Sequence, residues 1–140
     1  MSVILPIMVL AYETDYGAVV SNTRYLEYLE RGRYALLHSV GLPVEKVWAE
    51  QGVQPVVRRV EVDYLAFARH EDQLELHIRV EEHAGASSIL AFELIRPADG
   101  KTVMRARQTL AYLNRSWKPV RVPALYKEKM PAEAKAPQGL

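Results

Sequence analysis

"TDYGAVVSNTRYLEYLERGRYALLHSVG", residues 14–41, decides the fold. Between Asn22 and Val40, the positions Tyr25, Tyr28, Leu29, Gly32, Leu36 and Val40 recur at spacings of three and four, which is one stripe of a helix. Glu27, Glu30, Arg31 and Tyr34 take the other side, with Glu27 and Arg31 spaced for an i,i+4 ion pair. Gly32 weakens a helix by about 1 kcal/mol relative to alanine, so its place on the apolar stripe predicts close approach to a sheet. Gly41, followed by Leu42 and Pro43, ends the helix. Just upstream lies the turn Asp15-Tyr16-Gly17. On composition alone its aspartate reads as a turn former; the other reading is a carboxylate set beside a helix N-terminus for chemistry.

Downstream the period changes from 3.6 to two. In residues 54–64, "QPVVRRVEVDY", the set Val56, Arg58, Val60, Val62 and Tyr64 alternates with Val57, Arg59, Glu61 and Asp63. In "LELHIRV", Leu74, Leu76, Ile78 and Val80 share a face opposite Glu75, His77 and Arg79. "SSILAFELI" and "TVMRARQTLAYL" read as two more strands, with "EEHAGA" and "PADGK" as hairpin turns. The order is a strand, a long helix, then four consecutive strands with hairpin-type links, which predicts an α+β domain with an antiparallel sheet. One helix cannot cover both sheet faces, and the Arg58/Arg59 and Arg105/Arg107 strands are too charged to be buried by it. A curved sheet of about five strands wrapped around the helix, with the remaining surface used for oligomerisation, meets these constraints.

The 140 residues suffice for one domain, placed at 1–130, with the small, polar, proline-bearing residues 131–140 expected as a disordered tail. A net charge of +1 gives no sign of a nucleic-acid or membrane-surface partner. The apolar start, "MSVILPIMVLAY", is too short to span a bilayer and reads as a strand carrying Pro6. The absence of cysteine excludes disulfides, thiolate metal sites and cysteine nucleophiles, and it suits a reducing compartment. His38, His70, His77 and His83 show no metal-ligand spacing, so no metal is expected. Neither Ser87 nor Ser88 has the sequence context of a Ser-His-Asp nucleophile.

The strand–helix–four-strand order resembles the hotdog fold. "TDYGAVVSNTRYLEYLERGR", "VVRRVEVDYLAFARHEDQLEL" and "KPVRVPALY" are similar to blocks of the 4-hydroxybenzoyl-CoA thioesterase superfamily, and within it of the YbgC-type acyl-CoA thioesterases. The resemblance spans about residues 8–126. It implies hydrolysis of a thioester to free acid and coenzyme A, with Asp15 as the catalytic carboxylate. The helix opening near Asn22 and Thr23 has unbonded amides and about half a positive charge, suited to an oxyanion. Asp15 then attacks the carbonyl or deprotonates a water. Tyr12, Gly17, Val19, Tyr25, Tyr64, His70 and Ser87 are the substrate-contact candidates. Arg58, Arg59, Arg69 and Lys101 are the candidate partners of the coenzyme A phosphates.

The resemblance further implies an acyl-CoA or acyl-carrier-protein substrate and no cofactor beyond the coenzyme A that the substrate carries. It implies a cytoplasmic homodimer or a dimer of dimers (a homotetramer), with each site between subunits. A hotdog dehydratase needs a histidine base, and residues 13–25 contain none. A non-catalytic acyl-thioester binding protein is the remaining alternative, and the presence of Asp15 speaks against it.

Overall fold

The computed structural model describes residues 1–133. Strand β1 (Ser2–Met8) leads through a 3-10 turn (Ala11–Glu13) to helix α1 (Asn22–Ser39) and a short helix α2 (Val44–Gln51). Strands β2 (Val53–Tyr64), β3 (Gln73–His83), β4 (Ser87–Arg96) and β5 (Lys101–Asn114) follow, then a two-residue strand β6 (Pro119–Val120) and helix α3 (Ala124–Lys129). The sheet order is β1-β3-β4-β5-β2, with every pairing antiparallel and β6 added to β5. Pro6 is tolerated because β1 is an edge strand, where a missing N–H can face away from the ladder.

The expected helix and strands are all present, but their connectivity is not a run of hairpins. β2 pairs with β5, not with β3. The short links 84–86 and 97–100 zip β3, β4 and β5 locally. The eight-residue link 65–72 instead carries the chain from one edge of the sheet back to its interior.

The face assignment of β2 is also corrected. Arg58 is an extra residue in the ladder, since Val57 lies opposite Leu110 and Arg59 opposite Thr109. Directly opposed residues share a face, so Val57 joins Val60, Val62 and Tyr64 on the side of Leu110, Gln108, Ala106 and Met104. Val56 and Arg58 do not belong to that set. The bulge resets the phase of a two-residue period within one strand.

Helix α1 lays Tyr25, Tyr28, Leu29, Gly32, Leu36 and Leu37 on the sheet, with Val40 only partly buried. Glu27 pairs with Arg24 at 2.7 Å in place of the expected Arg31. Gly32 sits where the helix comes nearest: a Cβ there would lie 2.7 Å from Leu76 Cδ2 and 3.1 Å from Ile78 Cγ1. A polar group also enters this interface. Gln108 is buried and accepts a hydrogen bond from Arg33 at 2.9 Å, so its carbonyl is satisfied. The opposite sheet face carries Arg79, Glu93, Arg105, Arg107, Glu61 and Asp63, as the charge pattern of those strands required.

At the far end of the sheet a polar chain fixes the C-terminal segment. His83 Nε2 donates to the Met130 carbonyl at 2.6 Å, and a carbonyl can only accept, so Nε2 carries the proton. In the neutral ring Nδ1 then accepts from Ser88 Oγ at 2.6 Å, and Ser88 Oγ in turn receives the Tyr112 hydroxyl at 2.8 Å. Burial pushes the Tyr112 phenol up to about 12, so it remains a donor at neutral pH. Ser88→Ala strands the buried Tyr112 hydroxyl and the half-buried His83 Nδ1 and should cost about 1–3 kcal/mol in chemical denaturation. Residues 131–133, assigned by sequence to the tail, are tied in: Glu133 N–H donates to Val80 O at 2.8 Å, and the Met1 ammonium meets Glu133 at 2.9 Å. The rest of that expected tail, 134–140, lies outside the described residues.

Candidate active site

The segment between the 3-10 turn and α1 folds back on itself. Thr14 bridges to Val20, Asp15 N–H donates to Val19 O at 3.0 Å, and Ala18 N–H donates to Asp15 O at 2.9 Å. Asp15 Oδ1 accepts the Gly17 N–H at 2.9 Å, so the turn-forming reading of this aspartate is realised. The same bond holds the exposed carboxylate in one orientation. The left-handed residue is Ala18 (φ 62°), not Gly17. Gly17 is needed for space, because a Cβ there would press on Asp15 Oδ1 at 3.2 Å.

Ser21 is the N-cap of α1, and its side chain makes no capping hydrogen bond. Among the described residues the amides of Asn22 and Thr23 find no acceptor, whereas the next one, Arg24 N–H, returns to Ser21 O. The helix therefore opens with free donors and its positive end. Tyr64 donates its hydroxyl to Asn22 O at 3.1 Å and ties the end of β2 to this terminus.

These pieces meet in a cleft of about 370 Å³ lined by Asp15, Val19, Val20, Asn22, Tyr25, Tyr64, Leu65, Ala66 and Phe67. Of the sequence candidates, Asp15, Val19, Asn22, Tyr25 and Tyr64 line it, Gly17 supports the carboxylate, and Thr23 follows Asn22 on the exposed first turn. Three others stand apart in the single chain. Tyr12 is exposed, with the Arg24 guanidinium 5.3 Å over its ring. His70 is exposed, 3.8 Å from Glu71. Ser87 pairs with Ala111, seven residues along β5 from the Met104 that faces Tyr64, which is about 23 Å of strand.

The wall Leu65-Ala66-Phe67 was not foreseen, although "YLAF" is an apolar run beyond the end of a strand. It is fixed just beyond the β2–β5 ladder, where the Val103 carbonyl accepts both Leu65 N–H (2.9 Å) and Ala66 N–H (3.2 Å). Arg96 finishes the wall by donating to Phe67 O at 2.7 Å and to Asp72 Oδ2 at 3.1 Å, with its other nitrogens on Asp99. Arg96→Ala should leave α1 and Asp15 in place but free the Phe67 segment. The expected result is a KM several-fold higher, about 1 kcal/mol of lost binding, with kcat little changed in steady-state kinetics.

Among the described residues no group of three His, Asp or Glu side chains is placed to hold a metal ion, and no helix is long and apolar enough to cross a membrane. Residues 9–132 match the family model of the thioesterase-like superfamily. The acyl-CoA thioesterase YbgC of Haemophilus influenzae is 30% identical over 105 residues, covering 75% of this chain and 74% of that protein. A chloroplastic acyl-acyl carrier protein thioesterase of Arabidopsis thaliana is 24% identical over 118 residues, 84% of this chain and 62% of that one. A crystal structure of a 4-hydroxybenzoyl-CoA thioesterase mutant complexed with 4-hydroxybenzoyl-CoA superposes with a TM-score of 0.86 at 19% identity, covering 92% of this chain and 98% of that one. The fold is thus the α+β hotdog fold, and the chain belongs to the thioesterase-like superfamily.

Proposed function

We propose that the protein is an acyl-CoA thioesterase in which Asp15 is the catalytic carboxylate and the N-terminus of α1 polarises the thioester carbonyl. The observation that carries this reading is that Asp15 and Asn22 line one cleft, beside free amides at the helix opening. With the acyl group against Val19, Tyr25, Tyr64 and Phe67, the carbonyl oxygen points at the Asn22 and Thr23 amides, and its developing charge meets fixed donors. Asp15 approaches from the turn, as nucleophile or as general base. The coenzyme A thiolate departs as a good leaving group, so the reaction asks for no metal and no further cofactor.

Of the four basic candidates for the phosphates, Arg69 is bridged by its backbone to Val19, a residue of the cleft wall. A homo-oligomer, in a cytoplasmic setting, completes the proposal. The free edge of β2 exposes Val57, Val60 and Tyr64, and an open cleft needs a partner to exclude water. An acyl-carrier-protein substrate is the second reading, favoured by the relative of that activity that aligns with most of the chain. The test is thiol release from acetyl-, hexanoyl-, palmitoyl- and benzoyl-CoA by wild type and Asp15→Asn in parallel. Turnover of one of these by wild type alone supports the reading. Equal activity in both proteins removes it, and inactivity of both favours the carrier-protein substrate or a non-catalytic acyl-thioester binding protein.

A further inference from the structure

Glu13 is the one buried carboxylate among the described residues, 5% exposed, and the proposed chemistry does not use it. Burying an ionised carboxylate without partners costs several kcal/mol, so its partners are informative. Glu13 Oε1 accepts the Tyr28 hydroxyl at 2.9 Å and the Leu10 N–H at 2.9 Å. Tyr28 is fully buried in the second turn of α1, and burial followed by this bond pushes its phenol well above the ordinary tyrosine value, which keeps it a donor. The main-chain oxygen of Glu13 accepts the N–H of Ser21, the N-cap, at 3.0 Å.

One residue therefore ties three points: the chain leaving β1, the body of α1, and the residue that opens α1. Asp15 is two residues further along the chain, and the free amides begin one residue after Ser21. Contacts through Glu13 bracket the separation between carboxylate and helix N-terminus from outside, beyond the Thr14–Val20 bridge and the bond from Asp15 N–H to Val19 O that close the turn itself. We infer that Glu13, seated by Tyr28, is the positioning residue of this site, holding Asp15 and the Asn22 and Thr23 amides at their working separation; the inference rests on the role of Asp15 proposed above. Glu13 is not a second catalytic carboxylate, since it is closed from solvent and is not among the residues lining the cleft.

A part that merely stabilises the fold and a part that aligns the site differ in what they move. Loss of alignment lowers kcat with KM unchanged, and a displacement of about 1 Å can cost about a hundredfold. The test uses whichever thioester of the panel wild type hydrolyses fastest, with thermal melts alongside. Glu13→Ala should lose about a hundredfold in kcat at unchanged KM. Glu13→Gln keeps an acceptor oxygen for both donors and should recover to within about fivefold of wild type. Tyr28→Phe should fall between the two, and the double variant with Glu13→Ala should be no worse than Glu13→Ala alone.

If Glu13→Ala does not fold, Tyr28→Phe against Glu13→Gln carries the same comparison. Wild-type kcat in Tyr28→Phe and Glu13→Ala with only a lowered Tm, while Asp15→Asn is inactive, overturns the positioning role alone. Full activity in Asp15→Asn overturns this role together with the reading on which it rests.

Discussion

Asp15→Asn should lower kcat by about a thousandfold while KM and Tm stay close to wild type. The variant is clean for a structural reason. Among the described residues the one side-chain bond Asp15 makes is the acceptance of Gly17 N–H by Oδ1, and an asparagine carbonyl accepts the same bond at the same place. Shape, turn and cleft lining survive, and what is lost is the ability to attack a carbonyl or to take a proton. Asp15→Ala is the poorer test, since it also releases the turn and confounds alignment with chemistry. A circular dichroism melt on Asp15→Asn separates the cases: an unshifted Tm with lost turnover assigns the loss to the carboxylate. Retained turnover would move the chemistry to another residue.

The largest effect on stability is expected at Gly32. A side chain at this position projects into Leu76 and Ile78, both buried and both on the strand at the centre of the helix–sheet contact. Gly32→Leu should cost about 3 kcal/mol, on the order of 10 °C in Tm, because a packed core relaxes poorly around extra methylenes. Gly32→Ala is the informative control. Alanine returns about 1 kcal/mol of helix propensity, yet its methyl must displace Leu76 Cδ2, so the two terms oppose and the net change should be about 1 kcal/mol or less. A urea titration of the two variants distinguishes this from a glycine tolerated only for lack of pressure, in which case alanine would stabilise by the full propensity term.

What the sequence made legible follows the range of the forces involved. α1 and the inward face of β3 rest on local periodicity, the existence of β4 and β5 on short apolar runs between turn signals, and Gly32 announces its close approach by sitting on an apolar stripe. The proximity of Asp15 to a helix opening is likewise local, seven residues from Asn22. The pairing of β2 with β5 joins residues some fifty positions apart, and nothing in "LAFARHED" says which edge the chain will cross to. The bulge at Arg58 was hidden because "VVRRVEV" alternates acceptably in either phase. Glu13 carries no pattern of its own, because its burial depends on Tyr28, fifteen residues further along, whose hydroxyl it accepts. Ser87 and Tyr12 reached the candidate set through the resemblance rather than through any pattern of their own, and within one chain the fold leaves them outside the cleft.

The extra residue at Arg58 has a bearing on how the protein behaves in a crowded solution. A free sheet edge is a template on which any extended chain can continue the hydrogen-bond ladder. Here the template is broken near its middle, so an arriving strand finds six regular residues, Arg59 to Tyr64, before the spacing of donors and acceptors falls out of step. A stranger reaching across the break must leave backbone groups unpaired. A second copy meeting the same short stretch antiparallel, about a two-fold axis, mismatches nothing and closes the edge. Open-ended fibril growth is thereby discouraged, and finite assembly is permitted beside the cleft where Tyr64 stands.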